Sequence, residues 1–433
     1  MKKILLPLML LISLTNSFAQ KRKPAFVSTD IDNFWMAYHK IIAAKDSIKQ
    51  YNLLNEFYLN KATPGLKSII QARGYTTTDF INMMTRYPKF WASIKSNTIN
   101  VKNQYGKIAA DLNKLKKAYP DLKPATIYFT MGAFRTNGTV DGNKILIGSE
   151  LSLADKNTII SELPDWRQPF YKSQNPINEI GLLCTHEYVH TQQKELVENL
   201  LSMCLYEGVA EFISCKVTGK KSASPAIEFG KTNEKKVVEK FVSDMFTMTN
   251  NYNWIWGENK NELKIRDLGY YIGYEICERY YNQSPDKQKA IKELIELDYH
   301  DDKKVENMVN NSKLFPKSLK ELNLDYESQR PTVISLAPFD NGSQKVKPGS
   351  IVISITFSEA MDINYRGFDY GPLGERHIYK FKKLIGWSNN DRTITLEVEV
   401  DPNKEYQATI TNNFRSKKGF ELKPYLIDFK TNE

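Results

Sequence analysis

Hydrophobic residues in the first quarter of the chain recur at the spacing of an amphipathic helix. Phe34, Tyr38 and Ile41 follow one another at intervals of four and three residues, and residues 105–119 show the same pattern. This spacing places apolar side chains on one face of an α-helix, where they can pack against a core. The pattern therefore predicts a helical region over residues 20–120.

The pattern of hydrophobic positions changes in the second quarter of the chain. Residues 126–130 and 144–148 are short runs rich in apolar and β-branched side chains, and the segment between them, 137–143, is rich in turn formers. Such runs are typical of short strands joined by a turn. Residues 178–324 return to a mostly helical pattern. We therefore predict a mostly helical α+β domain with a small antiparallel sheet over residues 121–326.

The C-terminal part of the chain has the pattern of an all-β domain. Residues 351–357, 392–400 and 406–411 alternate apolar and polar side chains or are rich in β-branched residues, and turn-forming segments separate them. Strands at such spacing are typical of a β-sandwich of immunoglobulin-like size. The predicted fold class is therefore multidomain, with an all-β Ig-like sandwich over residues 330–433 after the α+β domain.

The N-terminus has the pattern of an export signal. Lys2 and Lys3 precede an apolar run over residues 4–14, and small residues lie near Ala19. This run is shorter than the roughly 20 residues that a membrane-spanning helix needs. Residues 1–19 are therefore predicted to be a cleaved signal peptide that sends the protein to the periplasm or the cell exterior. No transmembrane segment is predicted in the mature chain.

Composition and charge exclude several classes of protein. Hydrophobic residues make up 41% and charged residues 25% of the chain, as in ordinary globular proteins. The net charge of +10 is spread along the chain and forms no basic stripe, so we predict no nucleic-acid partner. The chain also lacks a Gly-rich phosphate loop and a Gly-x-Ser-x-Gly elbow, which argues against nucleotide-binding proteins and serine hydrolases.

The four cysteines do not form a disulfide framework. Four in a chain of this length are too few for a disulfide-stapled fold, and their spacing fits no zinc-ribbon pattern. Two interpretations remain open, namely buried free thiols and a single disulfide. The residues concerned are Cys184, Cys204, Cys215 and Cys277.

One segment has the spacing of a catalytic metal site. His186-Glu187-Tyr188-Val189-His190 lies at the end of an apolar, helix-like stretch. Positions i and i+4 share a helix face, so the imidazoles of His186 and His190 can bind one Zn²⁺. Glu187 then flanks the metal, where a carboxylate can act as general base toward water. The alternative is a solvated helix face that carries two histidines.

A third ligand is expected from a neighbouring element, because catalytic zinc sites use three protein ligands. Glu207 and Glu211 lie one turn apart in a largely apolar helical stretch. An unpaired carboxylate is costly in such surroundings, so one can bind the metal while the other pairs with a neighbour or supports a histidine. Two exposed glutamates on a helix face are the alternative.

These motifs together resemble those of a known family. HExxH followed by Glu-Gly-x-Ala-Glu at residues 207–211 is similar to the gluzincin zinc metallopeptidases, and most of all to exported bacterial proteins described as predicted Zn-dependent proteases. The resemblance implies a zincin-like fold, with His186, His190 and Glu207 as zinc ligands, Glu187 as the catalytic base and Glu211 in support of the ligands. The number of residues between His190 and Glu211 is closer to the spacing in thermolysin, which leaves Glu211 as the alternative third ligand.

The same resemblance implies how a substrate would bind. It predicts a peptide or protein substrate that pairs with an edge strand, which we place within residues 127–148. It also implies an electrophilic side chain that stabilises the oxyanion, and Tyr270 and Tyr274 are the candidates for this role. The alternative is that both tyrosines pack in the core. Trp254 and Trp256 can line a cleft or close a core between helices.

The C-terminal domain resembles bacterial Ig-like modules of exported and surface-layer proteins. Pro331-Thr332-Val333, Ala337-Pro338 and the strand that runs into residues 358–362 carry this resemblance. The predicted function is an exported zinc metallopeptidase, with the Ig-like domain as a spacer or docking module. The alternatives are a non-catalytic secreted binding protein with a structural metal and a metal-dependent hydrolase of a non-peptide bond.

Overall fold

The structure is a computed structural model that describes residues 25–247, 250–256 and 263–433. The predicted signal peptide lies outside the described residues. The chain divides into two compact units. One consists of the residues up to Gln193 together with Ile213–Ala223, and the other of Lys194–Phe212 together with Ser224–Glu433.

The first unit begins with a short strand and a group of helices, which confirms the predicted helical N-terminal region. Thr63 caps the third helix, where its side chain accepts a hydrogen bond from Leu66 N, and Thr76 and Asp79 form a capping box on the fourth. Aromatic rings such as Phe34 and Trp91, 5.0 Å apart, fill the core between the helices. The elements are β1 Ala25–Val27, α1 Thr29–Ala43, α2 Ser47–Phe57, α3 Pro64–Arg73, α4 Thr77–Arg86, α5 Pro88–Ile99 and α6 Tyr105–Ala118.

A four-stranded sheet follows, with strand order β1-β2-β4-β3. It adds β2 Thr126–Thr130, β3 Gly138–Asp141 and β4 Lys144–Gly148 to β1. The sequence-based prediction of an antiparallel sheet is wrong for most of it, because β1, β2 and β4 are parallel and only β3 is antiparallel to β4. Three consecutive residues of β4 are fully buried, Ile145, Leu146 and Ile147. Burial on both faces is typical of parallel strands.

Three α-helices follow the sheet in the part of the first unit that ends at Gln193. They are α7 Ser149–Ser152, α8 Gln168–Ser173 and α9 Ile180–His190. Helix α9 packs against α6, β3 and β4, which places it beside the edge of the sheet. Helix α10, Leu200–Thr218, follows and supplies residues to both units.

The second unit contains a helical part in which two helices touch closely and an arginine links neighbouring segments. A side chain on Gly208 of α10 would collide with the backbone of Gly273, so glycine at both positions permits the helices to touch. Arg279 joins three helical segments by bonding to Glu234, Glu275 and the carbonyl of Lys313. The helices are α11 Pro225–Thr232, α12 Glu234–Asp244, α13 Asn251–Trp254, α14 Leu268–Gln283, α15 Lys287–Ile295, α16 Asp302–Ser312 and α17 Leu319–Gln329.

The C-terminal part is an all-β domain of two four-stranded sheets, as the sequence predicts. Their strand orders are β5-β7-β10-β9 and β6-β12-β11-β8, and the pairing is antiparallel except between β6 and β12. Alternate residues of β7, β10, β11 and β12 fill the core between them. The strands are β5 Val333–Ala337, β6 Ser343–Val346, β7 Gly349–Phe357, β8 Phe368–Tyr370, β9 Lys380–Ser388, β10 Thr393–Val400, β11 Glu405–Ile410 and β12 Tyr425–Thr431.

Two further expectations concern membranes and thiols. Within the described ranges, every helix is too short or too polar to cross a membrane. All four cysteines are buried free thiols, which decides between the two interpretations left open above.

Candidate metal centre

Helix α9 brings the two histidines of the HExxH segment together. The helix is almost fully buried from Ile180 to its last residue, His190, and His186 lies one turn earlier on the same face. The two Nε2 atoms are 3.0 Å apart, and the ring planes are nearly perpendicular at 79°. Two nitrogens on a tetrahedral zinc are separated by about 3.3 Å when Zn–N distances are about 2.0–2.1 Å. The histidine pair therefore fits a shared metal ion after a small movement.

A glutamine that the sequence analysis missed holds one of these imidazoles. Oε1 of Gln193 lies 2.7 Å from Nδ1 of His190, three residues after it in the chain. A carbonyl oxygen only accepts hydrogen bonds, so the Nδ1 atom of His190 donates the proton and Nε2 keeps its lone pair. Such a contact orients an imidazole for metal binding. The signal available in the sequence was its spacing of three residues after His190.

The edge strand β3 lies directly against the side chain of Glu187. Glu187 is buried, with 6% of its surface exposed. A methyl group on Gly138, the first residue of β3, would lie 2.5 Å from Oε1 of Glu187. Because glycine has no such group, the strand backbone can approach the carboxylate closely. The predicted base and an edge strand within residues 127–148 are therefore brought together.

A buried carboxylate holds the loop that leads into β3. Glu150 is fully buried and accepts hydrogen bonds from Gly132 N at 2.8 Å and Phe134 N at 3.2 Å. Arg167 donates to the carbonyl of Phe134 at 2.7 Å. Phe134 has φ 60°, a left-handed conformation that a non-glycine residue adopts only when its surroundings enforce it. The sequence analysis missed Glu150, because it carries no motif.

Burial raises the pKa of Glu150. The pKa is lowered in turn by hydrogen bonds from backbone N–H groups, including those of Gly132 and Phe134, and by the positive charge of Arg167. The far end of the loop is held by the bond from Gly148 N to Asn137 O at 3.0 Å. The loop over residues 131–137 is thus fixed at both ends, and so is the start of β3.

The third member of the predicted ligand set is Glu207. His186, His190 and Glu207 each offer one ligand atom, and these atoms all lie within 4.8 Å of one another. Two imidazole nitrogens and one carboxylate oxygen match the donor set of catalytic zinc sites. The three residues therefore form a group that could bind a metal ion. Glu211 is buried one turn after Glu207 on α10 and does not belong to the group.

Two cysteines on the same helices do not belong to this group of ligand atoms. Cys184 and Cys204 are fully buried, and burial raises the pKa of both thiols, with a smaller contribution from the charges of Glu187 and Glu207 respectively. The donor atoms that come together are those of two imidazoles and one carboxylate.

The tyrosines considered as oxyanion stabilisers differ in their surroundings. Tyr274 is buried, its ring packs edge-on against Phe212 at 5.5 Å, and its hydroxyl donates to Glu278 at 3.3 Å. These contacts favour a structural role for Tyr274. Tyr270, which precedes it by one turn on α14, is half-buried.

The aromatic pair near residue 255 is divided between the core and the surface. Trp254 is buried and donates its indole N–H to Asp244 at 2.9 Å. Trp256 is 55% exposed. The sequence allowed two roles for this pair, lining a cleft or closing a core between helices. Trp254 has the second role.

Comparisons with known proteins identify two regions of the chain. Residues 163–301 match the family described as "Predicted Zn-dependent protease (DUF2268)", and this range includes His186, His190 and Glu207. Residues 327–431 match the family described as "Bacterial Ig-like domain". The expected resemblance to predicted Zn-dependent proteases and to Ig-like modules is confirmed at this level. No curated protein matches the chain.

Solved structures are similar to the chain only at a low level. CopC from Methylosinus trichosporium OB3b is 13% identical, with 24% of this chain and 94% of that chain covered and a TM-score of 0.20. A structure of the S-layer protein rSbsC(31-844) and one of SbsC domains 1–6 are each 11% identical, with 94% of this chain and 45% of theirs covered. Their TM-scores are 0.18 and 0.19. This chain therefore spans less than half the length of those surface-layer chains.

Proposed function

We propose that this protein is a zinc-dependent metallopeptidase that hydrolyses peptide bonds. The observation that carries the proposal is the group of His186, His190 and Glu207, whose ligand atoms lie within 4.8 Å of one another. The group lies in the region that matches predicted Zn-dependent proteases. The relationship to gluzincins and the zincin-like fold are part of the same proposal.

His186, His190 and Glu207 would hold the zinc ion. When bound, zinc polarises the substrate carbonyl and makes water easier to deprotonate. The imidazole of His190 is held by Gln193, and its Nε2 atom faces Nε2 of His186. We assign Glu211 to the support of these ligands, because it is a buried carboxylate one turn after Glu207.

Glu187 would be the general acid and base. Its carboxylate takes a proton from the attacking water and delivers it to the nitrogen of the leaving amine. Its neighbour in sequence on α9 is His186, and its side chain is buried against the backbone of Gly138. A buried carboxylate held by close packing is restricted in its conformations, which favours proton transfer at a defined position.

The edge strand β3 would align the substrate. It is the last strand of its sheet, pairing with β4 on one side, and it begins beside Glu187. A peptide that adds to such an edge forms main-chain hydrogen bonds with it. These hydrogen bonds orient the peptide carbonyl that lies next to Glu187. They involve only the main chain, so this orientation does not depend on the side chains of the peptide.

We also propose that the protein is exported and that the Ig-like domain docks to a surface or a substrate. The match of residues 327–431 to bacterial Ig-like domains supports this assignment, since such domains are common in exported proteins. If the metal group were structural, the same domain would be the functional part of a secreted binding protein. Chelator-sensitive hydrolysis separates the two functions.

The decisive experiment is metal analysis of the purified chain together with hydrolysis of a mixed fluorogenic peptide library. We expect one zinc per chain and turnover that a chelator abolishes and zinc restores. The variant Glu187→Gln should keep the zinc and lose about 10²–10⁴-fold in turnover, the usual contribution of general acid–base catalysis. Turnover at the wild-type rate in zinc-loaded Glu187→Gln protein would disprove the mechanism.

A further inference from the structure

A pocket of about 500 Å³ lies in the helical part of the second unit. The N-terminal parts of α10, α16 and α17 line it, together with the two residues that follow α12. Its lining contains none of the proposed metal ligands, and neither Glu187 nor Glu211. Pockets that bind small molecules measure about 300–1,000 Å³. This pocket is therefore large enough for a small ligand and is lined by residues for which the proposed reaction has no use.

Most of the lining of this pocket is apolar. Leu200, Met245 and Val305 are buried, with 1%, 5% and 8% of their surfaces exposed. The ring of Phe246 packs against that of Tyr326, with the ring centres 5.3 Å apart. Side chains held in this way offer a fixed surface to an apolar group, and removing such a group from water is favourable.

Two carboxylates in the lining come from a single helix. Asp302 is the first residue of α16, and Glu306 follows four residues later on the same helix face. The nearby lysines Lys304 and Lys317 pair with other carboxylates, at 2.9 and 2.6 Å. Glu306 has a neutral neighbour, the side-chain amide of Asn310 at 3.5 Å. The two carboxylates thus give the lining negative charge that attracts a positively charged group.

Hydrogen-bond donors in the lining come from the other two helices. Lys320 is the second residue of α17, and Ser202 is the third residue of α10. The side chain of Ser202 is 3% exposed, and its hydroxyl forms no hydrogen bond with another described residue. Leu200 and Leu201 open α10, and N–H groups at such positions have no acceptor within their helix. An ammonium group, a hydroxyl and N–H groups together suit a carboxylate.

We propose that this pocket binds a short peptide with free termini and apolar side chains, such as a dipeptide. The amino terminus of the peptide would pair with Asp302 and Glu306, and its carboxylate with Lys320 and Ser202. Its side chains would pack on the apolar lining. The lining carries both signs of charge, so a ligand with one charged end would leave half of the charged groups without a partner. Binding at this second site does not require the proposed peptidase function.

The test measures binding of the dipeptide Leu-Leu to the full chain that carries Glu187→Gln, so that the proposed hydrolysis does not consume the ligand. Titration calorimetry gives the affinity, and the methyl resonance of Met245, identified by comparison with Met245→Leu, reports occupation of the pocket. We expect Leu-Leu to bind and to shift this resonance. N-acetyl-Leu-Leu, Leu-Leu amide and Gly-Gly each lack one recognised feature and should bind about tenfold or more weakly. Equal affinities for Leu-Leu and the two blocked peptides would overturn the proposal.

A substitution that fills the pocket tests where the peptide binds. Leu201 is half-buried in the lining, and Leu201→Trp should weaken Leu-Leu binding at least about tenfold. The matched control is Leu324→Trp, because Leu324 is 59% exposed on α17 and lies outside the lining. The control should change the affinity by less than about twofold. Unchanged affinity in folded Leu201→Trp would place the peptide elsewhere and overturn the proposal.

Charge substitutions test each end of the peptide separately. Lys320→Met should weaken Leu-Leu binding about tenfold and leave the affinity for Leu-Leu amide unchanged. Asp302→Asn combined with Glu306→Gln should weaken Leu-Leu binding and leave that of N-acetyl-Leu-Leu unchanged. Lys303→Met is the control, because Lys303 is exposed on α16 and lies outside the lining. An equal loss for Leu-Leu and the blocked peptides would contradict the assignment of the two ends.

The charge variants change exposed or half-buried side chains, so they keep the proposal testable if Leu201→Trp does not fold. Absence of Leu-Leu binding to the Glu187→Gln chain would overturn the proposed pocket ligand. It would leave the proposed peptidase function intact, because zinc content and hydrolysis are measured separately. Binding that follows the expected pattern in a protein that hydrolyses no peptide would support the pocket and refute the peptidase.

Discussion

The backbone of Gly138 occupies the space beside the carboxylate of Glu187, and no other residue type fits there without displacing it. A methyl group at this position would lie 2.5 Å from Oε1 and 2.9 Å from Cδ of Glu187. The close approach couples the edge of the sheet to the helix that bears both histidines. The position of the proposed base is thus set by a residue 49 positions earlier in the chain.

The first prediction follows from this contact. Gly138→Ala should displace the carboxylate of Glu187 and lower kcat about 10–100-fold, because small misplacements of a catalytic group are costly. Zinc content should stay the same, since the atoms nearest to the added methyl group all belong to Glu187. The measurements are steady-state kinetics and metal analysis. The control is Gly106→Ala, where a methyl group would meet nothing within 4 Å and helix stability should rise by about 0.5–1 kcal/mol.

The second prediction separates the two glutamates of α10. Glu207→Gln should remove zinc from the purified chain, because a neutral amide is a weak zinc ligand. Glu211→Gln should retain zinc with weaker affinity, by about 10–100-fold, as is usual for residues that support a ligand. Metal titration with a competing chelator measures both affinities. Zinc loss in Glu211→Gln with retention in Glu207→Gln would exchange the two roles.

The third prediction concerns the glutamine that orients His190. Gln193→Ala should weaken zinc affinity about 10–100-fold by freeing the imidazole to rotate. Gln193→Glu keeps an acceptor oxygen and should restore most of the affinity. Gln192→Ala is the matched control, because the side chain of Gln192 accepts a hydrogen bond from Lys123 N at 2.7 Å, away from the proposed ligands. Equal affinities in all three variants would show that Gln193 has no role in metal binding.

The fourth prediction addresses the loop before β3. Glu150→Gln should replace one acceptor oxygen by an NH₂ group that faces a backbone N–H, which costs about 1–3 kcal/mol and loosens the loop. We expect kcat/KM to fall about tenfold at a temperature where the variant is folded. The control is Asp30→Asn, another buried carboxylate, which accepts from Thr63 N at 3.0 Å. It should lower the melting temperature similarly and leave kcat/KM unchanged.

The fifth prediction is a pH dependence of stability due to Glu150. Burial raises its pKa in the folded state above the ordinary value of 4.5, so the folded chain binds this proton more tightly than the unfolded chain. The resulting stabilisation is present below pH 4.5 and is lost as the pH rises through the folded pKa. Glutamine does not titrate, so the melting-temperature difference between wild type and Glu150→Gln should shrink over that range. A difference that grows with pH would contradict the raised pKa.

Part of this protein follows from local sequence patterns. Residues at i and i+4 of a helix share a face whatever the rest of the chain does, so His186 and His190 converge as their spacing predicts. The helical N-terminal region and the all-β C-terminal domain also follow from periodicities that extend over a few residues. These features depend on backbone geometry within one element.

Other features depended on how distant elements pack, which periodicity does not encode. The apolar segment 144–148 is compatible with either strand direction, and only its burial among neighbours places β4 parallel to β2. Glu207 and Glu211 carry the same chemical group one turn apart, and only the position of α10 brings Glu207 to the histidines. Gly138 and Glu150 act through contacts with residues far away in sequence. A helix or strand pattern determines which side chains share a face, while the tertiary structure decides what that face meets.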